Sequence, residues 1–466
     1  MATNVPQDIQ EIWQMDLDHV IHPFQDFESF KETGSDIMSK SEGSHIFDAY
    51  GNKLLDGCAG LWCVNIGYGR KEMAAAIAEQ VVDLAYYSTF GQLTTPPTAK
   101  FAAKLAEYAP GSLNHIMYST GGSMANDTAI RMVHYYWNAK GQPNRKKIIS
   151  RVDAYHGMTY LAAGLTGIEF DRIGFDQEDE IIHHVSVPNV YRPRDGMSPD
   201  ELCDFLVQEL DDKIQELGPE NVAAFIAEPI MGAGGVLVPP DGYHKRTQDV
   251  CRKYGVLTIS DEVVTGFGRL GHIFASEPVF GLTPDIITSA KGISSGYLPL
   301  AATIVTDEIY DTISAPRDDG GIYSTGFTYA GHPVCCAAGL KNLEIIEDED
   351  ICGHVLKVGP YFEEQLKTLM DLPLVGDVRG KCFMMCVENV GNKETKEVLP
   401  PEARVGDRIA KHAQERGALV RPIGHLNVLS PPLIMTTDEI DFLVSTLRAS
   451  IEATQDDLTK EGIWKG

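Results

Sequence analysis

Positive charge is scarce in this 466-residue chain: 39 Lys and Arg stand against 66 Asp and Glu, a net −27. Nucleic acids and anionic lipid surfaces are gripped by basic faces, so neither is expected as a partner. No apolar run approaches the roughly 18 residues that cross a bilayer. The N-terminus has no basic start or apolar block of the kind that marks a secretion signal. It carries Asp8, Glu11, Asp16 and Asp18 instead, and a cytoplasmic location is expected. The nine cysteines are odd in number and lack paired C-x-x-C spacing, which argues against a disulfide framework and a zinc site. There is no H-E-x-x-H run, and His183-His184 lies in an apolar stretch that reads as structural, so no metal is expected. Internal repeats are absent too. At 43% hydrophobic residues, the chain has ample material for a core.

The middle of the chain alternates short apolar runs with helical periodicity, the pattern of a layered α/β fold. Strands are expected over 115–119, 147–150, 222–227, 256–260, 285–289 and 301–306. In 123–139, Ala125, Ala129, Met132, Val133 and Tyr136 share one helical face. Another helix is expected over 243–254, closed by Gly255. Loops are expected over 188–199, 313–327 and 389–405. The chain divides into an N-terminal segment (1–62), a large domain (63–330) and a C-terminal part (331–466). The two outer pieces are expected to form one smaller domain.

Three places concentrate chemistry. At 118–127 a strand runs through Gly121 and Gly122 into Ser123 at a helix start, where free N–H groups favour an anion. A plain strand-to-helix turn explains those glycines equally well. At 257–263 a buried strand ends in Asp261-Glu262. In open parallel sheets, ligands bind at such carboxyl ends, yet either acid fits, and an Asp that merely caps a turn is common. At 285–292 a third strand ends in Ala290-Lys291-Gly292, a lysine between small neighbours. An acid, a lysine and an anion cradle together match the ring nitrogen, aldehyde and phosphate of pyridoxal 5'-phosphate.

The run Asp261 to Arg269, followed by Ala290-Lys291-Gly292, resembles the class III (omega) aminotransferases of the pyridoxal-phosphate fold-type I superfamily. So do Ala59 to Asn65 with Gly67 to Arg70, and Gly326 to Pro333. The likeness extends nearly end to end, from His22-Pro23-Phe24 to Pro431-Pro432-Leu433-Ile434. It implies a large domain with a mostly parallel central sheet flanked by helices, plus a smaller α+β domain built from both termini. It implies Lys291 as the lysine that condenses with the cofactor and Asp261 as the partner of its ring nitrogen. Gly122 and Ser123 would cradle the phosphate, Tyr155 and Val263 would cover the two ring faces, and Glu228 would sit beside the ring hydroxyl. Thr328 would reach the phosphate from a partner subunit, so that a homodimer or dimer of dimers shares its sites. One departure stands out: Met124 occupies a position where the family usually has Glu.

For substrates, the resemblance makes Arg421 the carboxylate-binding arginine and Phe24, Trp62 and Phe90 the pocket wall. That wall favours a small terminal amine, with pyruvate as acceptor. The stretches 382–390 and 421–432 are most similar to taurine–pyruvate aminotransferases. Taurine is therefore the expected donor, giving sulfoacetaldehyde and alanine by a ping-pong route. His425 is expected to lend a second donor to the sulfonate beside Arg421. β-Alanine, putrescine or another omega-amine is the alternative donor. An aminomutase, a decarboxylase or a non-catalytic dimeric scaffold would retain the same fold.

Overall fold

A computed structural model describes residues 7–317 and 320–465. Residues 1–6 of the N-terminal segment and 318–319 of the second expected loop lie outside it. Near the N-terminus, β1 (Met38–Glu42), β2 (His45–Asp48) and β3 (Lys53–Asp56) form an antiparallel meander. The large domain supplies β4 (Leu113–Ser119), β5 (Lys147–Arg151), β6 (Ile182–Val185), β7 (Val222–Ala227), β8 (Leu257–Asp261), β9 (Ile286–Ser289) and β10 (Ala301–Thr306). They form one seven-stranded sheet in the order β4-β10-β9-β8-β7-β5-β6. Only β10 runs antiparallel to its neighbours. All six expected strands are present, and β8 extends one residue further than expected, to Asp261.

Side chains alternate across this sheet as the two-residue period of a strand requires. Ala224 and Ile226 of β7 join one apolar layer with Ala129, Ile130 and Val133 of helix Gly122–Ala139. Phe225 and Ala227 face the opposite layer, with Leu210 and Ile214 of helix Pro199–Leu217 and Cys251 of helix Tyr243–Tyr254. Burial on both faces explains why β7, β8 and β9 are buried along their whole length. The strand ends then remain for chemistry.

The C-terminal part adds β11 (Val375–Lys381), β12 (Met384–Asn389), β13 (Ala418–Leu419), β14 (Arg421–Ile423) and β15 (Leu426–Leu429). Strands β11-β12-β15-β14 form an antiparallel sheet. β13 pairs in parallel with β3, which joins both ends of the chain in one sheet. Helix Pro333–Asp348, just past residue 331, contributes Cys336 and Leu343 to a core that also holds Phe101 and Leu105 of helix Pro96–Tyr108. Among the described residues, no helix is long and apolar enough to cross a membrane, and no group of His, Cys, Asp or Glu is arranged to hold a metal.

Candidate active site

β8 and β9 are parallel neighbours, so Asp261 and the lysine that follows β9 emerge from the same end of the sheet. Asp261 is 4% exposed. Its Oδ2 accepts from Asn126 Nδ2 at 2.8 Å and faces His156 Nδ1 at 2.8 Å, and its Oδ1 accepts from the Val263 N–H at 3.0 Å. Asn126 also donates to the His156 carbonyl at 2.7 Å and accepts from Thr288 Oγ1 at 2.7 Å. Three elements thus fix one carboxylate.

Glu262 is buried completely and used differently. It accepts from the backbone N–H groups of Ala275 at 2.8 Å and Ser276 at 2.9 Å, and from Thr265 Oγ1 at 3.0 Å. The Ser276 hydroxyl donates to it as well. This acid is spent on ordering its own loop, while Asp261 is held by Asn126 and His156.

Lys291 stands at φ 44°, in the left-handed region. Its Nζ lies 5.3 Å from the centre of the Trp62 ring. Burial holds its ammonium below the usual lysine value, while Cys63 and the carboxylates of Asp261 and Glu228 pull the other way. The small neighbours have separate reasons. Ala290 packs with Ala125, Ala301 and Val263 on the side of Gly122. Gly292 is small because a Cβ there would lie 2.4 Å from Asn65 Nδ2, an approach no side chain tolerates. Packing within the chain therefore accounts for both small neighbours, against the expectation that they leave room for a bulky cofactor.

Helix Gly122–Ala139 begins with no side chain capping it. A Cβ on Gly121 would meet nothing within 4 Å, so the free N–H groups open onto space. Ser123 Oγ accepts from the Met158 N–H at 3.1 Å, leaving its own proton to donate. Gly157 makes that contact possible: at φ 126°, its Cβ would fall 2.3 Å from Ser123 Oγ. Met124 accepts from Thr120 Oγ1 at 3.0 Å through its sulfur. An uncapped helix start, a buried acid and a half-buried lysine fit a phosphate, a ring nitrogen and an aldehyde in turn.

Glu228, 4% exposed, accepts from the N–H groups of Tyr155 at 3.1 Å and Gly232 at 2.8 Å. Burial pushes its carboxyl up, and Asp261 adds to this against His156. Trp62 is 5% exposed and lies against Gly232, whose Cβ would sit 2.2 Å from the Trp62 ring. The Tyr155 hydroxyl is raised by burial and then by the Asp171 carboxylate, while Arg421 lowers it. The charge of Arg421 is felt at Lys291 as well. Arg421 makes no ion pair or side-chain hydrogen bond among the described residues.

Other expected site residues stand apart. Phe24 is 67% exposed and Phe90 is 53% exposed. Thr328 is exposed, and its carbonyl accepts from Tyr86 at 2.7 Å. His425 departs from expectation: its Nε2 lies 3.4 Å from Glu388 Oε1, so its ring is turned toward that buried acid instead of sharing an anion with Arg421. The hairpin turn explains this, because Ile423 pairs with Leu426 and His425 sits at the tip, beyond the strand residue Arg421. Sequence reasoning missed Asn126 and His156. Both adjoin motifs it had singled out, Asn126 following Ser123-Met124-Ala125 and His156 following Tyr155.

The family model for aminotransferase class III matches residues 31–451. The chain is 41% identical to a putrescine–pyruvate aminotransferase of Pseudomonas aeruginosa, over 95% of this chain and 96% of the relative. A thermostable (S)-enantioselective omega-transaminase from Thermomicrobium roseum superposes with a TM-score of 0.93 at 43% identity, over 96% of this chain and 98% of that one. The omega transaminase from Pseudomonas jessenii, in complex with PMP, gives a TM-score of 0.93 at 37% identity, over 96% and 99%. The chain belongs to the class III aminotransferases of pyridoxal-phosphate fold type I, and it is a pyridoxal-phosphate-dependent enzyme.

Proposed function

We propose that this aminotransferase moves the amino group of a small terminal amine to pyruvate, yielding alanine, with a short diamine such as putrescine as the preferred donor. Pyridoxal phosphate, when bound, supplies an aldehyde for the amine and a ring that takes up electron density. Lys291 Nζ would take up and return the proton of the substrate carbon, as base and then as acid, and its depressed ammonium suits that work. Asp261, aligned by Asn126 and His156, keeps a proton on the ring nitrogen. Gly122 and Ser123 hold the phosphate, Tyr155 and Val263 cover the ring, and Glu228 fixes Tyr155 through its backbone. The same residues act once on the amine and once on the keto acid, which makes the kinetics ping-pong.

The observation that carries the reading is Arg421, which makes no ion pair or side-chain hydrogen bond among the described residues, and its charge acts on both Lys291 and Tyr155. Its planar fork suits the pyruvate carboxylate. Asp171, half-buried and without a hydrogen-bond partner for its carboxylate among the described residues, acts on Tyr155 too and suits the far ammonium of a diamine. The similarity to a putrescine–pyruvate enzyme agrees. Taurine is the second reading, favoured by the fit of Arg421 to a sulfonate, but it no longer has His425 to call on. The test is a donor panel of putrescine, β-alanine and taurine scored by alanine formed from pyruvate. Putrescine should lead, and taurine turning over far faster would reverse the choice.

The same reading includes a homodimer, or a dimer of dimers, in which Thr328 serves the partner's phosphate site and Phe24 and Phe90 line shared pockets. Exposed Tyr86, Phe90 and Tyr329 support it. Tyr86 packs edge-on to Tyr329, and Phe90 lies 3.3 Å from where a Gly326 Cβ would be, so the three form one apolar surface. Sedimentation giving a monomer at working concentration would refute it.

A further inference from the structure

The strongest unexplained cluster lies at the join between the large domain and the C-terminal sheet. Glu388 on β12 is only 2% exposed. Three cationic or titratable groups converge on it. Arg192, from the large-domain loop after β6, reaches Oε1 through Nε at 2.8 Å and Nη2 at 2.6 Å. Arg379 on β11 reaches Oε2 at 2.6 Å, and His425 lies 3.4 Å from Oε1. Burial pushes the carboxyl up, but these groups outweigh it and bring the value down to about 2. Asp377 balances Arg379 at 3.0 Å.

The cluster touches the active site at both ends. Arg379 Nε donates to the Gly235 carbonyl at 2.8 Å. Gly235 closes a turn on Gly232, the residue whose N–H binds Glu228 and whose Cα packs on Trp62. At the other end, the His425 carbonyl accepts from Asn389 Nδ2 at 2.7 Å, and His425 is the tip of the hairpin whose first strand carries Arg421. Arg421 has no ion pair or side-chain hydrogen bond among the described residues to hold it, so the hairpin decides where its guanidinium points.

We propose that Arg192 is a positioning residue for carboxylate recognition: with Glu388 and His425 it clasps the Arg421 hairpin onto the large domain. The proposal rests on Arg421 as the carboxylate binder. A clasp of this kind acts on the keto-acid half of the reaction and spares the reaction with a diamine, which has no carboxylate. Arg192 is suited to the test because its side chain is 34% exposed. Removing Glu388 would instead deprive Arg192 and Arg379 of the carboxylate they share and risk the fold.

The experiment uses the holoenzyme. Arg192→Gln should raise the KM for pyruvate about five- to tenfold with kcat little changed, the pattern of lost uniform binding. The rate of the single-turnover absorbance change with 1,4-diaminobutane should stay within about twofold of the parent. Arg192→Lys, which keeps the charge, should recover most of the loss. In an Arg421→Ala background, Arg192→Gln should add nothing, because the two changes act through one contact. An unchanged KM for Arg192→Gln beside a raised KM for Arg421→Ala would overturn the clasp alone. Equal losses in both half-reactions, or full additivity in the double variant, would overturn it as well. An unchanged KM for Arg421→Ala would overturn the reading of Arg421 and the clasp with it.

Discussion

Asp261 and Phe90 stand at opposite extremes of this site. Asp261 is 4% exposed, and both its oxygens are occupied by groups of its own chain. Phe90 is 53% exposed and Phe24 is 67% exposed, large apolar groups left facing water. In our proposal the floor that holds the cofactor comes from one chain. The residues expected at the rim are unfinished, and in our proposal a second copy completes them. The floor should therefore govern chemistry whatever the assembly, while the rim should govern retention and choice of substrate through the assembly.

The comparison breaks first at Lys291. Lys291→Ala should cut alanine formation at least about 10⁴-fold while leaving the sedimentation profile intact. Retained turnover would end its assignment. Asp261→Asn should lower kcat about 10²–10⁴-fold at little cost in melting temperature. Its neighbour should behave in the opposite sense. Glu262→Gln should lose about 1–3 kcal/mol of stability in a thermal melt, since Glu262 supplies bonds to its own loop, and should keep kcat within a few-fold. Were the two variants to exchange phenotypes, the roles would be exchanged. At the rim, Thr328→Ala should weaken coenzyme retention on dialysis about tenfold, the worth of one hydrogen bond to an anion. The smallest effect is expected of Phe90→Ala: a change of a few-fold in the ratio of kcat/KM between putrescine and a bulkier amine.

Much of the floor was legible in local sequence because its parts are local. A strand that ends in an acid, a strand that ends in a lysine and a glycine-rich helix start can each be read within about ten residues. Asn126 and His156 were not legible as orienters of Asp261, although both sit inside motifs already singled out. Their role depends on a helix, a loop and a strand meeting, from positions as far apart as 126 and 261. His425's contact with Glu388 was hidden for a related reason. Nearness in sequence to Arg421 suggested a shared ligand, but a hairpin tip points away from its strand, and Glu388 was waiting there.

The sequence by itself determined the layered α/β fold and its family and pointed to two strand ends, one closing in Asp261-Glu262 and one in Lys291, because strand period, turn residues and motif spacing are written along the chain. It could not choose between Asp261 and Glu262, explain Gly292, or place His425. Those choices were made by contacts across the fold: Asn126 and His156 on one acid, Ala275 and Ser276 on the other, and Asn65 against the glycine. Adjacent residues at a strand end point in opposite directions, and only packing decides which of them meets the site and which is absorbed into the frame.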